Sequence, residues 1–182
     1  GLCQGNPMSS GTFDPSLCTA SYNSTGGDYH DIAGSSVQLG AGNGGVRPPN
    51  GSYDVAYVII SNVFTLKGNY ATTVNNFYSN GTNYSDSATN VSTGATSLAQ
   101  EFTDSLTSFG GATCVTKGSE SMSNGNLEAY VTDGTLAVAT GCTGVSRIVG
   151  TLTLNTPIEI TEATTGLQVN FSVEDNGMTV IP

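Results

Sequence analysis

The stretch GSYDVAYVIISNVFTLKGNY, residues 51 to 70, decides the fold class. Its β-branched and aromatic residues read as strand, yet they do not keep to one face. Counting alternately from Tyr53, one face carries Tyr53, Val55, Tyr57, Ile59 and Val63, and the other carries Ala56, Val58, Ile60, Phe64 and Leu66. A strand with one face in water alternates apolar with polar residues. This one reads as covered on both sides. The question is what covers the second side in a chain with few other large apolar residues.

The rest of the composition points the same way. The chain has 182 residues, of which 37% are hydrophobic, and it contains no Trp. That length fits a single domain, 1–182, with a buried core. Ser, Thr, Gly and Asn make up nearly half of it, which suits short strands joined by turns and not a helical bundle. The expected fold is mainly β: an antiparallel β-sandwich, jelly-roll or immunoglobulin-like, with one short helix and long polar loops.

Along the chain, residues 1–27 read as a loop region, broken by Pro7 and Pro15. Tyr29, Ile32, Val37 and Leu39 suit one or two short strands before the Gly-rich turn at Pro48-Pro49. Residues 78–97 carry almost no apolar side chains and read as an exposed polar loop. The expected helix covers 95–106. Ala95, Leu98, Ala99, Phe102 and Leu106 fall at three- and four-residue spacings, and Ser97 with Gln100 has the form of a capping box; a strand is the alternative. From residue 112 the period is two, with an Asp133-Gly134 hairpin turn, and the tail 167–182 reads as a C-terminal hairpin turning at Asn176-Gly177. About nine or ten strands result, enough for two sheets.

Charge excludes some partners. Four basic residues against fourteen acidic ones give a formal net charge of -10. A phosphate-binding surface needs clustered Lys and Arg, so nucleic acid and anionic membrane surfaces are poor partners. No apolar run approaches the ~20 residues of a spanning helix. The four cysteines, Cys3, Cys18, Cys114 and Cys142, lack a C-x-x-C spacing and read as two disulfides formed in an oxidising compartment. Of three possible connectivities, Cys3 with Cys18 and Cys114 with Cys142 is favoured. The first closes a loop with too few apolar residues to hold its shape by packing. An extracellular or cell-surface location is expected, with any secretion signal already removed before Gly1.

Chemistry-bearing residues are sparse. The one histidine, His30, lies beside Asp28 and Asp31. On a strand Asp28 and His30 would share a face, which makes them the only metal-site candidates, and half a site at that. No G-x-S-x-G element or second histidine is present to build a triad. The carboxylate pairs Glu101 with Asp104, Glu159 with Glu162 and Glu174 with Asp175 have no spacing that favours glycoside hydrolysis. The expectation is therefore a non-enzyme without a cofactor. Calcium alone stays open, because an acidic chain with Asp-rich turns could bind it, although no D-x-D-x-D-G loop occurs. Glycosylation sequons fall at Asn23, Asn50, Asn80, Asn83, Asn90 and Asn170, with the first five, and above all the three in the polar loop, the better acceptors.

Cys3 and Cys18, then Asp31-Ile32-Ala33, then Gly51-Ser52-Tyr53 opening a strand that ends at Gly68, form a pattern over the first seventy or so residues. In this the chain resembles a loosely defined group of uncharacterised secreted β-rich proteins of planktonic bacteria. The group usually carries an extended strand before its first cysteine, and here that strand is missing. Its lack implies a groove beside the 55–66 strands that another chain can fill. Val55, Tyr57 and Ile59 would line it, and the tail residues Leu167, Val169, Phe171 and Val173 have the alternation of a donated strand. The chain is similar in this respect to subunits of bacterial surface filaments that polymerise by strand donation. The expected function is an extracellular structural protein: a subunit of a filament, pilus-like fibre or sheath whose partner is itself. The alternative is a monomeric secreted adhesin or carbohydrate-binding module that takes surface glycans.

Overall fold

The computed structural model describes residues 1–24, 26–31, 37, 39, 45–71, 76–79, 99–110 and 113–168. The chain is mainly β and antiparallel. In chain order the strands are β1 (Leu2–Cys3), β2 (Cys18–Thr19), β3 (Gly51–Ser61), β4 (Val63–Leu66), β5 (Asn69–Ala71), β6 (Asn76–Tyr78), β7 (Phe102–Ser105), β8 (Lys117–Met122), β9 (Gly125–Thr132) and β10 (Arg147–Ile160). They fall into two compact units, Gly1–Ser61 with 107–168, and Asn62–Leu106.

The first unit holds a six-stranded sheet in the order β2-β1-β3-β10-β9-β8. Its spine is the β3–β10 pair, where Ser61 to Val55 run opposite Arg147 to Thr153. The register then shifts, and Tyr53 faces Ile158. Pro157 lies in the extra residues of β10, a bulge position where its missing N–H costs no ladder bond. Gly125 is required where β9 meets the same region, because a Cβ there would sit 2.1 Å from the Thr153 carbonyl oxygen.

The second unit contains two short ladders. β4 pairs with β7, Leu66 opposite Phe102, and β5 pairs with β6. The 51–70 stretch is thus not one strand. It breaks at Asn62, which is buried; Leu106 N–H donates to the Asn62 carbonyl at 2.8 Å, and Asn62 Nδ2 donates to the Leu106 carbonyl at 3.3 Å. Phe64 and Leu66 consequently belong to a different ladder from Val58 and Ile60.

The expected helix over 95–106 is corrected by β7. From residue 99 onward the described chain is extended, and Phe102 is buried while Thr103, Asp104 and Ser105 are exposed. Ala99, Phe102 and Leu106 satisfy a helical spacing, but a lone helix of that length is marginal in water. Pairing with β4 gives the same residues a complete ladder and a hydrophobic neighbour for Phe102. The only helical piece among the described residues is a 3-10 turn, Pro15–Leu17, whose Ser16 N–H donates to Asp14 Oδ1 at 2.9 Å. The short strands expected around Tyr29, Val37 and Leu39 are not formed at those residues, which lie outside any strand and are exposed, Tyr29 by 74%. Ile32 lies outside the described residues.

Cys3 bonds Cys18 across the directly paired β1 and β2, and Cys114 bonds Cys142, which is the favoured connectivity. The loop inside the first bridge is less empty than its composition suggests. Its Met8 and Phe13 are buried with Tyr130 and Val149, and Cys18, Tyr57, Ile59, Leu136 and Val138 pack around them. The arm is tied down by backbone bonds from Phe13 N–H to the Leu136 carbonyl at 3.1 Å and from Val138 N–H to the Gly11 carbonyl at 2.8 Å. A second cluster of Leu2, Tyr53 and Ile160, with Ala56 and Ile158 against it, closes the other end of β3.

Candidate functional site

Successive residues of a strand point their side chains to opposite faces and their backbone groups to opposite neighbours. On β3 the carbonyl of Tyr57 accepts from the Gly1 nitrogen at 2.9 Å, and its N–H donates to the Gly1 carbonyl at 2.9 Å. Tyr57 therefore turns its backbone toward β1, as does Val55, which lies opposite Cys3. Ile59 is the next residue with the same sense. β1 covers Leu2–Cys3, and among the described residues nothing pairs with β3 on this side at positions 58–60.

The side chains around this edge differ by face. Val55 is 2% exposed, and Tyr57 and Ile59 pack under Met8 and Phe13. Of the residues expected to line a groove, Tyr57 and Ile59 are thus already roofed by the chain's own arm, and Val55 is buried. On the opposite face Ala56 and Val58 are half-buried and Ile60 is 40% exposed. Further across that face, Gly118, Ser119, Glu120, Leu127 and Ala129 line a shallow depression. Of the expected donor residues, Leu167 is 40% exposed, whereas Val169, Phe171 and Val173 lie outside the described residues.

The two ends of the sheet are finished differently. β2 is only two residues long. β8 offers Lys117, Ser119, Glu120 and Ser121 at its exposed positions. Short strands and charged side chains are the usual protection of an edge against a stray partner. The 58–60 stretch has neither.

β8 also carries a charged cluster that sequence reading missed. Lys117 Nζ lies 2.5 Å from Glu128 Oε1 and 5.2 Å from the Tyr130 ring centre. The Tyr130 hydroxyl donates to Glu128 Oε2 at 2.6 Å. Hydrogen bonding to Glu128 raises the Lys117 ammonium, and Lys117 in turn holds the Glu128 carboxyl below its usual range. Burial, helped by the Glu128 contact, pushes the Tyr130 phenol up. All three shifts keep each group in its resting protonation state, the opposite of what a nucleophilic lysine or a general base needs. The cluster is a cross-strand clamp. Only the β8–β9 register reveals it, because Lys117 and Glu128 are eleven positions apart.

The other sequence candidates do not converge. Asp28 accepts a short hydrogen bond from the Tyr22 hydroxyl, which lowers its carboxyl, and both Asp28 and His30 are exposed. Among the described residues no group of three His, Cys, Asp or Glu is arranged to hold a metal ion. Glu101, Asp104 and Glu162 are exposed, and Glu159 accepts from the Ser52 hydroxyl at 2.5 Å. Glu174 and Asp175 lie outside the described residues. Asn23 and Asn50 are exposed, the latter bonded through Oδ1 to Arg47. Asn80, Asn83, Asn90 and Asn170 lie outside the described residues. No described helix is long and apolar enough to cross a membrane. Comparison with family models, with curated proteins and with solved structures finds no match to this chain.

Proposed function

We propose that this chain is an extracellular structural subunit that assembles with copies of itself, into a filament or sheath, by adding a strand to β3. The observation that carries the reading is the apolar stretch at 58–60, which has no paired strand on its β1 side among the described residues and where Val58 is half-buried and Ile60 is 40% exposed. An extended segment laid there gains main-chain hydrogen bonds and covers the partly exposed Val58 and Ile60. Two disulfides support an oxidising setting. The sandwich expected from the strand count belongs to the same reading, since a neighbouring subunit would supply the second layer over Val58 and Ile60.

Negative-stain electron microscopy and sedimentation of the purified chain test it. Assembly is expected, and Ile59→Pro, which removes the edge N–H, is expected to reduce it while leaving the β content unchanged. A monodisperse small particle at all concentrations overturns the proposal.

One observation favours a second reading. Met8 and Phe13 roof Tyr57 and Ile59 with the chain's own residues, as a self-contained secreted β module would require. Such a module would act as a monomeric adhesin, and a glycan array with the monomer would give a binder.

A further inference from the structure

In an Asn-Gly pair the backbone nitrogen reaches the asparagine side-chain amide with the least obstruction, because the glycine carries no Cβ. Asn50-Gly51, at the entry to β3, is such a pair. Three features of its surroundings favour the reaction. Asn50 is exposed, so water reaches the amide. The Arg47 guanidinium donates through Nη2 to Asn50 Oδ1, the oxygen on which negative charge gathers when the amide carbon is attacked. The attacking nitrogen is also turned the right way. Tyr57 directs its N–H and C=O toward β1, and alternation along β3 gives Gly51 the same sense, so its N–H is not spent on the β10 ladder.

The guanidinium is anchored independently of Asn50. Arg47 Nε donates to the Thr164 carbonyl at 3.2 Å and Nη2 donates to the Thr161 carbonyl, in the turn that follows β10. Pro48 and Pro49 restrict the backbone between the arginine and the asparagine. The donor is in place before any charge develops.

We infer that Asn50 is a self-modification site, where Arg47 promotes loss of the side-chain amide as ammonia. The Gly51 nitrogen attacks Asn50 Cγ and gives up its proton. The bond from Cγ to the amide nitrogen breaks, and that nitrogen leaves with the proton as ammonia. A five-membered succinimide then joins the two residues. Water adds to one of its two carbonyls and opens the ring, which leaves aspartate or isoaspartate at position 50; no oxidant or reductant takes part. Either product sets a carboxylate where Arg47 already points, so a neutral acceptor becomes a charged one and the turn after β10 is tied more firmly to the start of β3. Glycosylation of the Asn50 sequon would consume the same amide nitrogen. Its Ser52 hydroxyl, however, is engaged with Glu159 at 2.5 Å.

The test holds the folded chain in mildly alkaline buffer made with heavy-oxygen water. Peptide mass spectrometry follows Asn50 and, as internal reference, Asn124-Gly125 in the β8–β9 turn. Label is expected to enter position 50. Arg47→Met is expected to slow this about tenfold, less than a buried oxyanion donor is worth, with Asn124 unchanged and the difference gone in urea. An Asn50 that stays an amide overturns the inference, as does a rate in the variant equal to or above that of the wild type. A slowing that is shared by Asn124 or persists in urea also overturns it, because the folded contact is then not its cause. So does a glycan on Asn50 in chain isolated from its native source. Should Arg47→Met lose β content, Arg47→Lys, which keeps the charge without the planar fork, replaces it and is read by the same outcomes.

Discussion

The two faces of the six-stranded sheet carry similar aliphatic rows and are finished in opposite ways. Tyr57, Ile59, Val149 and Tyr130 lie under an arm whose Met8 and Phe13 come from a disulfide-closed loop. Ala56, Val58, Ile60, Leu152, Leu127 and Ala129 stay half-buried or exposed, while Ile148 and Val131 on the same face are buried. Hydrophobic period alone shows which residues need cover. It does not show where the cover comes from, because a closed loop can deliver two large side chains without any periodicity of its own. The puzzle of the 51–70 stretch divides accordingly: the Tyr57 face is covered by Met8 and Phe13, and the Ile60 face is covered within the chain only in part, at Ile148 and Val131.

The difference between the faces can be attacked directly. The largest effect is expected from Phe13→Ala. Removing a 9% exposed ring from the arm costs about 3–5 kcal/mol, whereas Ile60→Ala on the opposite face costs under about 1 kcal/mol because the site already sees water. Urea unfolding of the two variants measures both, and equal losses would abolish the distinction. Next comes the staple. Replacing Cys3 and Cys18 together by Ser releases a 15-residue separation, worth about 3 kcal/mol in the chain-entropy account, and Tyr57 should become accessible to a quencher. Gly125→Ala comes third. Its Cβ would meet the Thr153 carbonyl oxygen, and the backbone shift costs about 1–3 kcal/mol, read as a lowered Tm. The smallest effect is electrostatic. The Glu128 carboxyl is depressed in the folded chain, so its contribution is complete above the ordinary carboxylate value and is lost as pH falls through the lower folded value. Because Lys117 is half exposed, this amounts to less than about 1 kcal/mol. Glu128→Gln should flatten that part of the stability-pH curve and leave the rest unchanged.

Much of this was legible in the sequence. The antiparallel β character followed from alternation in 125–132 and 147–154 and from a turn-rich composition. The disulfide pairing followed from local loop closure. The helix over 95–106 was misread because Ala99, Phe102 and Leu106 satisfy two periods at once, and only the β4 partner decides between them. The break at Asn62 was invisible for a different reason. The residues on both sides are equally suited to strand, and what ends β3 is a pairing with Leu106, distant in the chain. Of the residues expected to line a groove, Tyr57 and Ile59 pack against Met8 and Phe13, which come from a closed loop that no side-chain period reports.

Asn62 and Leu106 hold each other through a pair of hydrogen bonds at the two ends of the Asn62–Leu106 unit. Whatever the chain does between them, it departs and returns through one latch. Segments pinned in this way tolerate changes of length, since the cost of a longer loop grows only slowly once its ends are fixed. In sequence, the polar run at 78–97 with its clustered sequons falls between these two residues. Relatives of this chain can therefore be expected to swap, lengthen or lose this whole appendage while keeping the sheet intact, and a grafted peptide or reporter placed there should leave the stapled half unaltered.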